Sequence, residues 1–250
     1  MKLNFGATIT GADDHVDPRV LLAMSEQYPR VEWGVLLSSS RQGSPRYPSL
    51  RWVRELCEVA ARHDVIKLSA HLCGDWARQL GAIDCEERFT EFFKELDFLP
   101  QFGRVQVNGY EPSWLDNLRD LGIVARMPYS EWILQCRDVD KLAGHVRDAS
   151  QIYCASVLAD PSGGRGVALD WPIGPTPPGA KIGYAGGIGP HNVGEVVSKI
   201  LGANRGAPSL DTWVDVESGA RDARGAFSFG NVVSVLDEVD AALEKMEEIA

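Results

Sequence analysis

Short apolar runs rich in β-branched residues alternate along the chain with longer stretches whose apolar positions recur every three to four residues. The runs at 3–8, 31–38, 65–72, 104–108, 122–127, 152–159, 181–185 and 212–216 read as strands. The stretch 51–62 places Trp52, Val53, Leu56, Val59 and Ala60 on one helical face, and 87–98 does the same with Phe89, Phe92, Phe93 and Leu96. The pattern returns at 193–201 and 232–246, and Ser113 stands where it could cap a helix starting near Trp114.

Strict alternation of strand and helix implies a parallel sheet with helical crossovers. Eight such units in 250 residues favour closure into a (β/α)8 TIM barrel, read here as a single domain over 1–250. An open doubly wound sheet is the competing architecture, and no GxGxxG follows the first strand to support it. The Pro/Gly stretch 172–179 falls where the helix between strands six and seven should stand, so an irregular loop is expected there. The stretch 204–208 reads as a short turn before the last strand.

Charge narrows the partners. A formal net charge of −10 argues against nucleic acid, whose phosphates demand clustered Lys and Arg, but leaves room for one small anion. Five cysteines without a CxxC pair fit a reduced, cytoplasmic setting. No targeting segment is read at the N-terminus, and no apolar run reaches the roughly 18 residues of a membrane span. His15, His63, His145 and His191 form no metal-ligand spacing, so neither metal nor cofactor is expected. The expected partner is a small phosphorylated ligand, to a monomer or a homodimer.

Barrel chemistry sits at the C-terminal strand ends. The seventh strand runs into Gly186-Gly187-Ile188-Gly189-Pro190, followed by a helix from about His191; the eighth runs into Glu217-Ser218-Gly219-Ala220. Glycines let backbone N–H groups close on an anion, and a helix N-terminus adds a favourable dipole, so these two loops are read as a phosphate site. Asp160 ends strand six and points into the mouth, ahead of the loop Gly163-Gly164-Arg165-Gly166. His71 and Cys73 share one face of strand three by its alternation.

Read in order, these segments resemble the phosphoribosylanthranilate isomerases of tryptophan biosynthesis. The resemblance rests on Leu158-Ala159-Asp160, Gly163-Gly164-Arg165-Gly166, Leu169-Asp170-Trp171, Gly186-Gly187 with Pro190-His191-Asn192-Val193, and Val214-Asp215-Val216-Glu217-Ser218-Gly219. Ser44-Pro45-Arg46-Tyr47-Pro48-Ser49 and Val105-Gln106-Val107-Asn108-Gly109 extend it across the barrel. It implies an Amadori rearrangement of a phosphorylated sugar adduct, with Asp160 as the acid that opens the ribose ring. It also implies Arg46, Gln106 and Asp215 on the substrate, with Arg46 facing an aromatic carboxylate. Gly164, Gly186, Gly187, Ser218 and Gly219 would hold the phosphate.

The departures bear on the reaction. The family opens with Lys-Ile-Cys-Gly-Ile-Thr, its cysteine being the general base. Here the alignment puts Phe5 or Ala7 at that place, and neither can take a proton. Asn108 stands for the family's strand-four histidine, and the lysine of the last loop is missing from 225–228. His71 becomes the first candidate for the base, having a suitable intrinsic pKa, with Cys73 and the Asp13–Asp14 pair behind it. Very weak turnover of the anthranilate adduct is expected. Two other readings stay open: a diverged phosphosugar epimerase or lyase using His71 and Asp160, and a phosphate-ligand binding protein with little catalysis.

Overall fold

The computed structural model describes residues 2–120, 131–152, 154–163 and 171–247. Eight parallel strands follow one another around a closed barrel: β1 (Lys2–Thr10), β2 (Val31–Leu37), β3 (Leu68–Leu72), β4 (Arg104–Val107), β5 (Glu131–Cys136), β6 (Ala155–Ala159), β7 (Ile182–Tyr184) and β8 (Ser209–Val216). β8 closes the ring against β1 with Thr8 opposite Asp215. The helices are α1 (Pro18–Gln27), α2 (Leu50–Ala60), α3 (Asp75–Gly81), α4 (Glu86–Glu95), α5 (Leu115–Asp120), α6 (Leu142–Ala149), α7 (Val193–Ala203) and α8 (Phe229–Glu247). None is long and apolar enough to cross a membrane, among the described residues.

Seven strands lie where the hydrophobic pattern puts them, and the fifth does not. It is Glu131–Cys136, whereas 122–127 lies outside the described residues. Trp132, Leu134 and Cys136 join the outer core and Ile133 the inner one, so the run Trp132-Ile133-Leu134 is apolar throughout and simple alternation is muted. Ser113 sits within a 3-10 turn, Pro112–Trp114, that makes no side-chain cap, and the helix behind it starts at Leu115. Residues 171–181 contain no helix, as the Pro/Gly stretch predicts.

Each strand splits its side chains between two environments. On β1, Phe5, Ala7 and Ile9 are buried in the layer shared with the helices. Thr8 and Thr10 turn inward, to Glu32 (2.8 Å) and Asp215 (2.8 Å) respectively. This corrects the sequence alignment: neither Phe5 nor Ala7 faces the mouth, and the last inward residue of β1 is Thr10, followed by Gly11. The segment Ile9-Thr10-Gly11 carries the period-two signal that an alignment on Phe5 or Ala7 misses.

Inside the barrel, Ile133, Leu158, Ala185 and Trp213 form a small apolar plug. Beneath it the Arg104 guanidinium lies 3.9 Å from the Trp213 ring centroid and pairs with Glu32 (3.0 Å) and Glu131 (3.4 Å). A Cβ on Gly183 would fall 2.1 Å from the Trp213 ring, so the indole fits only because β7 has no side chain there. One level up, a Cβ on Gly34 would come 2.1 Å from Thr10 Oγ1 and 3.0 Å from His71 Cε1. These two glycines let bulky and polar groups meet across the barrel, and they set the floor on which the mouth is built.

Candidate functional site

The β7 and β8 loops meet at van der Waals limits. A Cβ on Gly219 would lie 2.3 Å from the Ile188 carbonyl oxygen and 2.5 Å from Gly189 Cα. Gly186 and Gly187 both have positive φ, 97° and 66°, a conformation that side chains disfavour. Asn192 does not cap its own helix; its amide receives the Gly189 N–H (2.9 Å) and donates to the Gly187 carbonyl (3.0 Å), bracing the loop. Among the described residues, the N–H groups of Gly186, Gly187, Ser218 and Gly219 donate to no protein acceptor. The result is a concave set of unoccupied donors suited to an anion. The helix behind it starts at Val193 rather than His191. Gly164 lies outside the described residues.

Asp160 is buried beside these loops. Its Oδ2 accepts from Gln135 Nε2 (2.8 Å) and its Oδ1 from Ser162 Oγ (2.6 Å). A Cβ on Gly186 would lie 3.2 Å from Asp160 Oδ1, so the first loop glycine is also what lets the carboxylate sit against this set of N–H groups. Gln135 is doubly engaged, since its Oε1 accepts from the Gly109 N–H (2.8 Å).

Asp215 stands across the same pocket and is in a different state. Burial drives its pKa up to about 8, with Glu217, Asp160 and Glu32 adding negative potential and the Thr10 hydroxyl opposing. At neutral pH it is a carboxylic acid. His71 Nδ1 lies 4.0 Å from Asp215 Oδ2. Burial pushes His71 down to about 3, helped by the positive charge of Arg104 below it. The two are therefore neutral neighbours rather than an ion pair. Gln106 Nε2 lies 3.4 Å from His71 Nδ1 and can only donate, which puts the imidazole proton on Nε2. His71 Nε2 and Gln106 Oε1 are buried without a hydrogen-bond partner among the described residues, and both side chains line the pocket.

Arg46 reaches the rim from the loop after β2. Its backbone has a positive φ of 75°, held by its N–H bond to Asp13 Oδ2 (3.0 Å). Its guanidinium pairs with Glu217 at 3.2 Å. Asp14 accepts from Ser49 N (2.6 Å) and Ser49 Oγ (2.5 Å). Both Asp13 and Asp14 are thus committed to pinning that loop. Arg221 pins the other side, with Nη2 on the Gly11 carbonyl and Nη1 on that of Gly225 (2.8 Å). Cys73 donates to the His71 carbonyl, and its thiol is pushed up to about 12 by burial, so it stays protonated.

One pocket gathers Asp160, His71, Gln106, Asp215, Arg46, Gly186, Gly187 and Ser218 from the residues singled out in the sequence. Gly219 backs it without lining it. Sequence reasoning missed Thr10, Gln135, Ser162, Glu217 and Asn192. Gln135 was hidden by the misplaced fifth strand. Glu217 stood inside a motif read for its glycine and serine.

The family model for N-(5'phosphoribosyl)anthranilate (PRA) isomerase matches residues 101–231, more than half of the chain. No curated protein sequence matches. The phosphoribosyl anthranilate isomerase of Thermus thermophilus superposes with a TM-score of 0.56 at 15% identity, over 96% of this chain and 99% of that one. TrpF from Jonesia denitrificans gives 0.57 at 16%, over 96% and 98%. A D-psicose 3-epimerase crystallised with D-fructose gives 0.51 at 10%, over 98% and 97%. Identities this low speak for the fold alone, and the family match is what assigns kinship: the chain belongs to the N-(5'-phosphoribosyl)anthranilate isomerase family.

Proposed function

We propose that this barrel binds a phosphorylated aldose or its amine adduct and isomerises it to the ketose by proton transfer between two carboxyl groups. The phosphate lies on the N–H groups of Gly186, Gly187, Ser218 and Gly219. Gln106 and His71 meet the sugar hydroxyls through the polar atoms that have no partner in the protein. The observation that carries the reading is that two buried carboxyl groups, Asp215 raised by burial and Asp160 accepting from Gln135 and Ser162, share one pocket with that cradle.

A carboxyl group held protonated by its surroundings is suited to act as an acid. Asp215, held protonated, is the acid: it gives its proton to the ring oxygen as the ring carbon–oxygen bond breaks. Asp160, accepting from Gln135 and Ser162, is the base: it removes the hydrogen from C2 and delivers it to C1. As the enol becomes a ketone, Asp215 recovers a proton from the C2 hydroxyl, so no net proton is gained or lost. This exchanges the role that the resemblance implies for Asp160. It also answers the missing cysteine, since no group on β1 is then needed as base. His71, held neutral by burial, stands beside Asp215 without taking up its proton, rather than serving as the base expected from sequence.

Arg46 is already paired with Glu217, so an aromatic carboxylate at that position competes with a resident one. The anthranilate adduct is therefore expected to bind and turn over very weakly. The test is proton NMR of ribose 5-phosphate with the enzyme in deuterated water. Loss of the C2 hydrogen signal with appearance of ketose supports the reading. Binding of the ester with no exchange would leave a ligand-binding protein instead.

A further inference from the structure

His71 and Gln106 are register partners on the neighbouring strands β3 and β4. Each keeps one buried polar atom without a hydrogen-bond partner among the described residues, His71 Nε2 and Gln106 Oε1. Both side chains line the pocket that holds Asp160 and Asp215. The two atoms are complementary. Gln106 Oε1 can only accept, and His71 Nε2 carries the imidazole proton because Nδ1 faces the Gln106 amide nitrogen at 3.4 Å. One dry donor and one dry acceptor thus stand at the same level of the barrel.

A chain of contacts fixes these roles. Cys73 Sγ donates to the His71 carbonyl oxygen (3.4 Å) and accepts from Asn108 Nδ2 (3.0 Å). Asn108 therefore turns its Oδ1 to Gln106, whose Nε2 donates to it at 2.8 Å. That leaves Gln106 Oε1 as the unengaged end of the amide. The imidazole has room because β2 carries Gly34, where a Cβ would come 3.0 Å from His71 Cε1. Asn108 and Cys73 are positioning residues for the pair.

We propose that His71 and Gln106 together read a single sugar hydroxyl, the one on C3, with His71 Nε2–H donating to its oxygen and Gln106 Oε1 accepting its proton. This rests on the proposed function and deepens it. In that reaction the C2 hydroxyl gives up its proton, the ring oxygen on C4 gains one, and C1 takes up the hydrogen removed from C2. The C3 hydroxyl keeps both its oxygen and its proton from aldose to ketose. A fixed donor and acceptor stay satisfied throughout only on such a group. Leaving them empty in a complex strands two buried polar atoms, which makes the pair a specificity determinant for 3-hydroxy sugars.

The test compares ribose 5-phosphate with 3-deoxyribose 5-phosphate by calorimetric titration. Sites built around a substrate hydroxyl reject the analogue lacking it by about 10⁴–10⁵-fold in kcat/KM, and here the 3-deoxy ester should bind at least about a hundredfold more weakly. The double variant His71→Phe/Gln106→Leu should bring the two esters within a few-fold of each other, chiefly by weakening ribose 5-phosphate. Equal affinities in the wild type, as a water bridging the two atoms would give, or a gap that the variant leaves intact, would overturn the assignment. A second measurement needs no variant. With 15N-labelled histidine, His71 should show the neutral Nε2–H form, and its Nε2 signal should move with ribose 5-phosphate and not with the 3-deoxy ester. A response to both esters or to neither would also overturn it. Affinity and nitrogen shift are read whether or not C2 exchanges its hydrogen, so a lack of exchange counts against the proposed reaction and not against the hydroxyl contact.

Discussion

Thr10 Oγ1 donates a 2.8 Å hydrogen bond to Asp215 Oδ1, joining the last inward residue of β1 to the last inward residue of β8. The bond closes the barrel seam at the level of the mouth and fixes the acid whose protonation the mechanism needs. A single hydroxyl donor does not offset burial beside Glu217, Asp160 and Glu32, so Asp215 stays neutral.

The pH dependence of stability follows from that state. Between pH 6.5 and 8 the folded chain keeps a proton on Asp215 that the unfolded chain has lost, so stability falls as pH rises through this window. His71 acts with the opposite sign and at lower pH: lowered from 6.5 to about 3, its contribution is complete above 6.5 and is lost as pH falls. Urea unfolding from pH 6.5 to 8 therefore isolates Asp215. The decline should be at most about 1.4 kcal/mol per pH unit. Asp215→Asn, which keeps an acceptor for Thr10, should flatten it. An equal slope in the variant would show that Asp215 is ionised throughout.

Gly219→Ala tests the phosphate cradle. Its Cβ meets backbone atoms at 2.3 and 2.5 Å, which cannot swing aside as a side chain would, so the two loops must part. Calorimetric titration with ribose 5-phosphate should show at least tenfold weaker binding, with the fold retained by circular dichroism. Unchanged affinity would place the phosphate elsewhere.

Gln135→Leu removes the donor to Asp160 Oδ2 and strands the Gly109 N–H. A loss of about 1–3 kcal/mol is expected from the stranded donor. Turnover should fall more than affinity, because the variant frees the base without touching the phosphate loops. A variant that raised KM and left kcat alone would assign Gln135 to binding instead.

Glu217→Gln frees Arg46 to take a carboxylate. The bound pair is half exposed, which limits what its breaking costs the fold. Affinity for the anthranilate adduct, measured by fluorescence titration, should rise several-fold. A fall in affinity would mean that Glu217 orients Arg46 rather than competing for it.

The barrel was legible because alternating strands and helices carry different hydrophobic periods, and because the glycine loops of β7 and β8 fall at strand ends. The fifth strand was not, since its unbroken apolar run Trp132-Ile133-Leu134 interrupts the alternation that marks a half-buried strand. Asp160 and Asp215 could be assigned to the mouth from their places at strand ends. Their protonation states could not, because those depend on charges brought together from strands far apart in sequence: Glu32 on β2, Arg104 on β4 and Glu217 after β8. Thr10 was obscured by reading β1 two residues short at its C-terminal end, which left the register of its inward face unresolved.

Deuterium exchange at C2 of ribose 5-phosphate, compared among the wild type, Asp160→Asn and Asp215→Asn at matched ester occupancy, tests the account most directly. Loss of either partner in general acid–base catalysis costs about 10²–10⁴-fold. The account predicts exchange in the wild type, a fall of that size in each variant, and ester affinity within a few-fold of the wild type in both. Exchange that survives in either variant, or ester binding with no exchange in the wild type, would contradict it.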